Sequence, residues 1–171
     1  MTFKDLLIKL GACESAKEWA GDMPIEELVT TCDRGDWGLW LAKKVDVDLR
    51  LRTLAKGHCA NTVRHLMKDE RSIKAVDVAI AFGEGRATRK ELDAAADAAY
   101  VAATAAATAA VYVAALAAAA AGAAAYAAAG AAAAAAADDD ADTANRQQTA
   151  DICRKYIGEA LIEKVNQLLT K

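Results

Sequence analysis

Two short stretches of this 171-residue chain hold the residue types that recognise small molecules. The first runs Cys32-Asp33-Arg34-Gly35-Asp36-Trp37 and continues to Trp40, which puts two carboxylates, a guanidinium and two indoles within nine residues. An indole face stacks on a nucleobase or against a guanidinium, and an arginine fork grips a carboxylate or phosphate. Arg34, Asp36, Trp37 and Trp40 are therefore candidate ligand-binding residues. A plainer reading makes both tryptophans core, Asp36 the N-cap of a helix from 37 to about 45, and Arg34 a bridge to Asp33 or to another helix.

The second stretch holds Lys56, His58, Asn61, Arg64 and His65, followed by Lys68 and Arg71. At this spacing several of them share one face of a helix. Cations there suit phosphate or carboxylate groups, and His58, Asn61 and His65 add neutral hydrogen bonds. The competing reading is a solvated face paired with acidic residues. Between Lys43 and Lys90 lie twelve basic and six acidic residues, a balance of +6, while the rest of the chain carries −9. That polarity points to an anionic partner for the middle of the chain. The partner is small, because a net charge of −3 and a pI near 5.4 oppose duplex nucleic acid, whereas a small anion feels its local pocket.

Catalytic patterns are missing from the sequence. Cys59 adjoins His58, but neighbouring helical residues point about 100° apart and no third group orients them. Cys13, Cys32, Cys59 and Cys153 form no CxxC pair, so neither a disulfide framework nor a zinc knuckle is indicated, and a reducing cytoplasm suits them. There is no glycine-rich phosphate loop, no GxSxG and no HExxH. The expectation is a binding protein with no catalytic residues, no cofactor and no metal.

The elements that must carry these residues are helices. The chain is 55% hydrophobic but only 5% aromatic, and alanine, the best helix former and a poor strand former, makes up the difference. Pro24 is the single proline, and no alternating Val/Ile/Thr run offers a strand. The fold class expected is all-α, an irregular multi-helix bundle or short α-solenoid. It forms one domain over 1–171, with short helices in 1–87, alanine-rich helices in 88–137 and a C-terminal amphipathic helix in 138–171.

Local signals place the helix ends. Thr2 with Asp5 caps the first helix and Gly11 ends it; a second short helix carries Ala16, Trp19 and Ala20 and stops at Gly21. Asp22 and Pro24 offer a cap and an early proline for 24–32, Asp48 caps a helix with a break at Gly57, and Ser72 opens another that closes at Gly83 and Gly85. Thr88 and Glu91 form a capping box for the alanine helix. Within it Thr104, Thr108, Tyr112 and Leu116 make a stripe, and Gly122 and Gly130 mark turns. The last helix, about 142–169, presents Ile152, Tyr156, Ala160, Leu161, Val165, Leu168 and Leu169 on one side. Residues 98–137 carry no charge for 40 positions, yet alanine gives hydrocarbon too little apolar area, so no membrane span is expected.

The blocks CDRGDWGLWL (32–41) and LAKGHCANTVRHLM (54–67), with the alanine tract after them, resemble a family of small alanine-rich helical immunity proteins of bacterial and prophage genomes. The resemblance implies stoichiometric neutralisation of an antagonist. Two mechanisms fit it. A protein toxin would be bound directly, through the acidic run Asp138, Asp139, Asp140 and Asp142. A counter-defence sponge would trap a signalling nucleotide or ADP-ribose derivative in a basic and aromatic pocket, and the placement of charge favours this one. A helical scaffold that forms a homo-oligomer through its alanine faces is the third reading.

Overall fold

Short-range capping chemistry sets most of the helix boundaries. The computed structural model describes residues 1–67, 69–105 and 139–170, excepting the side chains of 101–105 and 139–143. Among the described residues there are eight α-helices, one 3₁₀ turn and no strand. In α1 (Phe3–Leu10) the Thr2 hydroxyl accepts from the Asp5 N–H at 3.1 Å while the Asp5 carboxylate accepts from the Thr2 N–H at 2.9 Å. Gly11 closes it in the left-handed region at φ 77°, where a side chain would be strained. Helix α2 (Glu14–Ala20) ends at Gly21, and α3 (Ile25–Thr31) follows with Pro24 at its cap position, so Asp22 does not cap it.

Helix α4 spans Gly35–Lys44, two residues earlier than expected, and Asp36 lies inside its first turn instead of capping it. The Asp48 carboxylate accepts from the Arg50 and Leu51 N–H groups and opens α5 (Leu49–Asn61). A 3₁₀ turn, Arg64–Leu66, leads to α6 (Glu70–Gly83). Asp69 caps α6, so Ser72 is not its opening residue but a buried position in its first turn. The Thr88 and Glu91 box forms as expected and starts α7 (Arg89–Ala105). The stripe from Thr104 to Leu116 and the turns at Gly122 and Gly130 fall outside the described residues and side chains.

Helix α8 (Asp139–Leu169) packs on α4, α5, α3 and α1, whereas α6 joins α5 on one side and α7 on the other. Its Ala150, Cys153, Ile157, Leu161 and Val165 are buried, and Ile152, Tyr156, Ala160, Leu168 and Leu169 are partly so. Side chains as large as Ile157 or Leu161 stabilise the fold by about 1.5–3 kcal/mol each when taken out of water. Because α8 has neighbours around more than one face, its apolar residues extend beyond the single stripe that a surface helix shows.

Close helix approaches depend on missing side chains. A Cβ on Gly57 would sit 2.8 Å from Ile80 Cγ1, and one on Gly83 would sit 2.4 Å from Leu54 Cβ, so both glycines let α5 and α6 touch. Gly57 therefore serves packing and does not break α5. Ala75, Ala95 and Ala99 bring α6 and α7 together in the same way. No described helix is long and apolar enough to cross a membrane.

Candidate functional site

The start of α4 assembles four of the predicted residues. Arg34 stands at the cap position and turns its side chain onto Asp36, with Nε 2.8 Å from Oδ1 and Nη2 2.7 Å from Oδ2. The Asp36 side chain is only 6% exposed, so its charge needs this fork, and the fork holds the guanidinium above its ordinary pKa. The arginine bridge expected for this loop exists, but it runs to Asp36 and not to Asp33. The guanidinium carbon lies 4.8 Å from the centre of the Trp37 ring. A flat cation backed by an indole and neutralised at its edge offers an extended planar surface of low net charge.

Trp37 also meets Trp19 of α2 edge to face, with ring centroids 5.8 Å apart and planes at 61°. Trp40, one turn further along α4, carries the Lys44 ammonium 5.5 Å from its ring centre. These three, all the tryptophans in the chain, line one cavity of about 450 Å³. Its apolar wall comes from α1, α3 and α8 through Phe3, Leu7, Ile25, Leu28 and Leu161, and its polar groups include Arg34, Asp36, Cys13, Cys32, Cys153 and Arg154. Arg154 closes the C-terminal end of α3: Nε donates to the Val29 carbonyl at 3.1 Å and Nη2 to the Cys32 carbonyl at 3.0 Å, while Nη1 pairs with Asp151. Those carbonyls are the ones a helix end leaves without partners.

Lys56, His58, Asn61, Arg64 and His65 do not line this cavity. The Arg64 guanidinium forks onto Asp77 of α6, with Nη2 2.9 Å from Oδ2, and this bond raises its pKa. His58 stacks on Tyr156 of α8, centroids 4.6 Å apart and planes within 3°, and burial lowers its pKa. Asn61 and His65 are exposed. Lys56 is half-buried, its pKa pushed down to about 8 by burial and by the like charges of Arg52 and Lys43.

Many of the other cations in the basic segment also have local partners. Arg71 forks onto Asp69, Arg86 pairs with Glu84, Arg89 with Asp93, and Arg50 donates to the Phe82 carbonyl. Apart from Lys44, which lies over Trp40, the described cations of 43–90 thus do not gather with the tryptophans, and none of them lines the cavity. Lys68 and Asp138 lie outside the described residues, as do the side chains of Asp139, Asp140 and Asp142.

Most of the lining residues escaped the sequence reading, among them Trp19, Arg154 and Cys153. Trp19 comes from a different helix, and the only hint of its place is that the chain has just three indoles. Arg154 and Cys153 arrive from α8, more than a hundred residues away, and no local pattern marks them. Among the described residues no group of three His, Cys, Asp or Glu side chains could hold a metal ion. Compared with known proteins, the chain matches no family model, no curated protein and no solved structure.

Proposed function

We propose that this protein is a non-catalytic binding protein that sequesters a small, nucleotide-like ligand in the tryptophan-lined cavity. The observation that carries the proposal is the convergence of Trp19, Trp37 and Trp40, from two separate helices, on one recess that also holds the Arg34 guanidinium. Stacking of a base on an aromatic side chain is worth about 1–3 kcal/mol, and the recess lies within the roughly 300–1,000 Å³ range of small-molecule sites. Asp36 already compensates Arg34, so the wall favours a ligand with a single anionic group over a polyphosphate. In a conflict between phage and bacterium, one-to-one capture of such a molecule lowers the free concentration of a signal without chemistry.

Calorimetry and thermal shift with cyclic mononucleotides, cyclic dinucleotides and ADP-ribose test this. The expected result is one-to-one binding led by the singly charged cyclic mononucleotides, with intact ligand recovered after denaturation. Trp37→Ala weakens binding by about tenfold or more, the equivalent of roughly 1.4 kcal/mol. Arg64→Ala, far from the cavity and tied to Asp77, changes it less than about twofold. Absence of heat and of any melting shift across the whole panel, or conversion of a ligand to product, overturns the proposal.

A further inference from the structure

The residues that line the cavity divide by depth. Gly11, Cys13 and Ser15 are exposed at its rim, where Trp19, Trp37, Trp40, Arg34 and Arg154 are half-buried. Beneath them Phe3, Leu7, Ala20, Ile25, Leu28 and Leu161 are all buried, and every one of those side chains is hydrocarbon. The buried polar side chains that line the cavity, Asp36 and Cys153, are already engaged: Asp36 holds the Arg34 fork, and the Cys153 thiol donates to the Gly35 carbonyl at 3.3 Å. A nucleobase pushed into this floor would bury its polar edge without partners, so stacking on the indoles belongs to the rim and leaves the floor unused. An apolar recess takes an apolar guest in preference to water.

We infer that the floor is a subsite for an unbranched aliphatic chain, so that the ligand is an amphiphile with a singly anionic head at the rim and a hydrocarbon tail beneath it. The inference rests on the cavity being the binding site and not on the head being a nucleotide. Arg34 supplies the complementary charge. A guanidinium has five N–H donors, and the fork to Asp36 engages Nε and Nη2 but not Nη1. Nη1 therefore has donors for a carboxylate or a phosphodiester at the level of the indoles. Arg154, the other arginine at the rim, is committed to the Val29 and Cys32 carbonyls and to Asp151, so selectivity for the head falls on Arg34. Each methylene that leaves water for the floor tightens binding about fourfold, until the floor is full.

The full chain is titrated with the straight-chain alkanoates from butanoate to dodecanoate, below their micellar concentrations, by calorimetry and by tryptophan emission. The expected result is one-to-one binding that tightens about fourfold per methylene and then levels off at one length. An alkyltrimethylammonium of that length binds about tenfold more weakly or worse. In the Arg34→Gln, Asp36→Asn chain, which keeps the pair neutral, the preference for the anion disappears while the dependence on length stays. Ala20→Leu, which adds bulk to the floor, moves the plateau to a shorter chain, and the wild-type series decides the matter on its own if that variant does not fold. The inference is overturned by affinity that ignores chain length, by tightening without a plateau and beyond one-to-one, by equal affinity for the ammonium, by a plateau that folded Ala20→Leu leaves in place, or by no alkanoate binding at all. Alkanoate binding with no response to nucleotides leaves this inference standing and removes the nucleotide head; a nucleotide response with no alkanoate binding does the reverse.

Discussion

The cavity formed by α1–α4 with α8 and the basic segment of α5–α7 start from similar promise in the sequence and end differently. In the first, indoles that are 18 residues apart, on α2 and α4, meet at 5.8 Å around a shared void. In the second, a surplus of cations is divided among nearby partners: Arg64 goes to Asp77, Arg71 to Asp69, Arg86 to Glu84 and Arg89 to Asp93. A charge surplus counted along a chain says nothing about convergence, because each arginine takes the first carboxylate its side chain can reach. Large aromatic groups have no such local sink. They bury where several helices leave room, and here that place is common to all three.

The largest effect that would break this contrast belongs to Gly35. Gly35→Ala places a Cβ against the backbone of Thr149, which cannot swing aside as a side chain can, so α4 and α8 must separate. The expected cost is about 2–3 kcal/mol in chemical denaturation, together with weakened ligand binding, since the same crossing supports the cavity. A neutral result would mean that the α4–α8 crossing does not define the site.

An intermediate effect sharpens the role of the fork. Asp36→Ala strips Arg34 of its carboxylate. Removing one partner of a fully buried pair costs about 3–5 kcal/mol, but the Arg34 side chain keeps 36% exposure and water screens part of the loss, so about 2 kcal/mol is expected. The same variant should bind a singly anionic ligand more tightly, because the guanidinium is no longer compensated. Lower stability with unchanged or weaker anion binding would show that Arg34 does not face the ligand.

The smallest effect tests the basic half. Arg64 and Asp77 keep 37% and 56% exposure, and a double-mutant cycle of Arg64→Ala with Asp77→Ala should give a coupling of about 0.5 kcal/mol or less, reduced further by salt. A coupling several times larger would place this pair among the groups that hold the fold together.

What the sequence reveals follows the range of the interaction. The Thr2 and Asp5 box, the Thr88 and Glu91 box and the Gly11 stop are legible because each closes within a few residues. Asp36 reads as a cap and is not one, since the neighbouring Arg34 takes its carboxylate before any backbone N–H can. Gly57 reads as a break and is a contact, because only the partner helix reveals that Ile80 leaves no space for a Cβ. Arg34, Asp36, Trp37 and Trp40 stand together in the sequence and in space. Trp19, Cys153 and Arg154 complete the same site from α2 and α8 and leave no local trace. His58 shows the converse: it reads as part of a binding face and is instead stacked on Tyr156, 98 residues away in the chain.

The gathering of every indole at one recess has a practical consequence. When only tryptophan is excited, all the light this protein emits comes from the wall of a single cavity, and no remote indole adds background. Edge-to-face contact between Trp19 and Trp37, with a guanidinium against the second ring, makes that emission sensitive to whatever displaces either neighbour. The purified protein thus carries its own optical gauge of occupancy, which can be read without a label, even during a fast-mixing experiment.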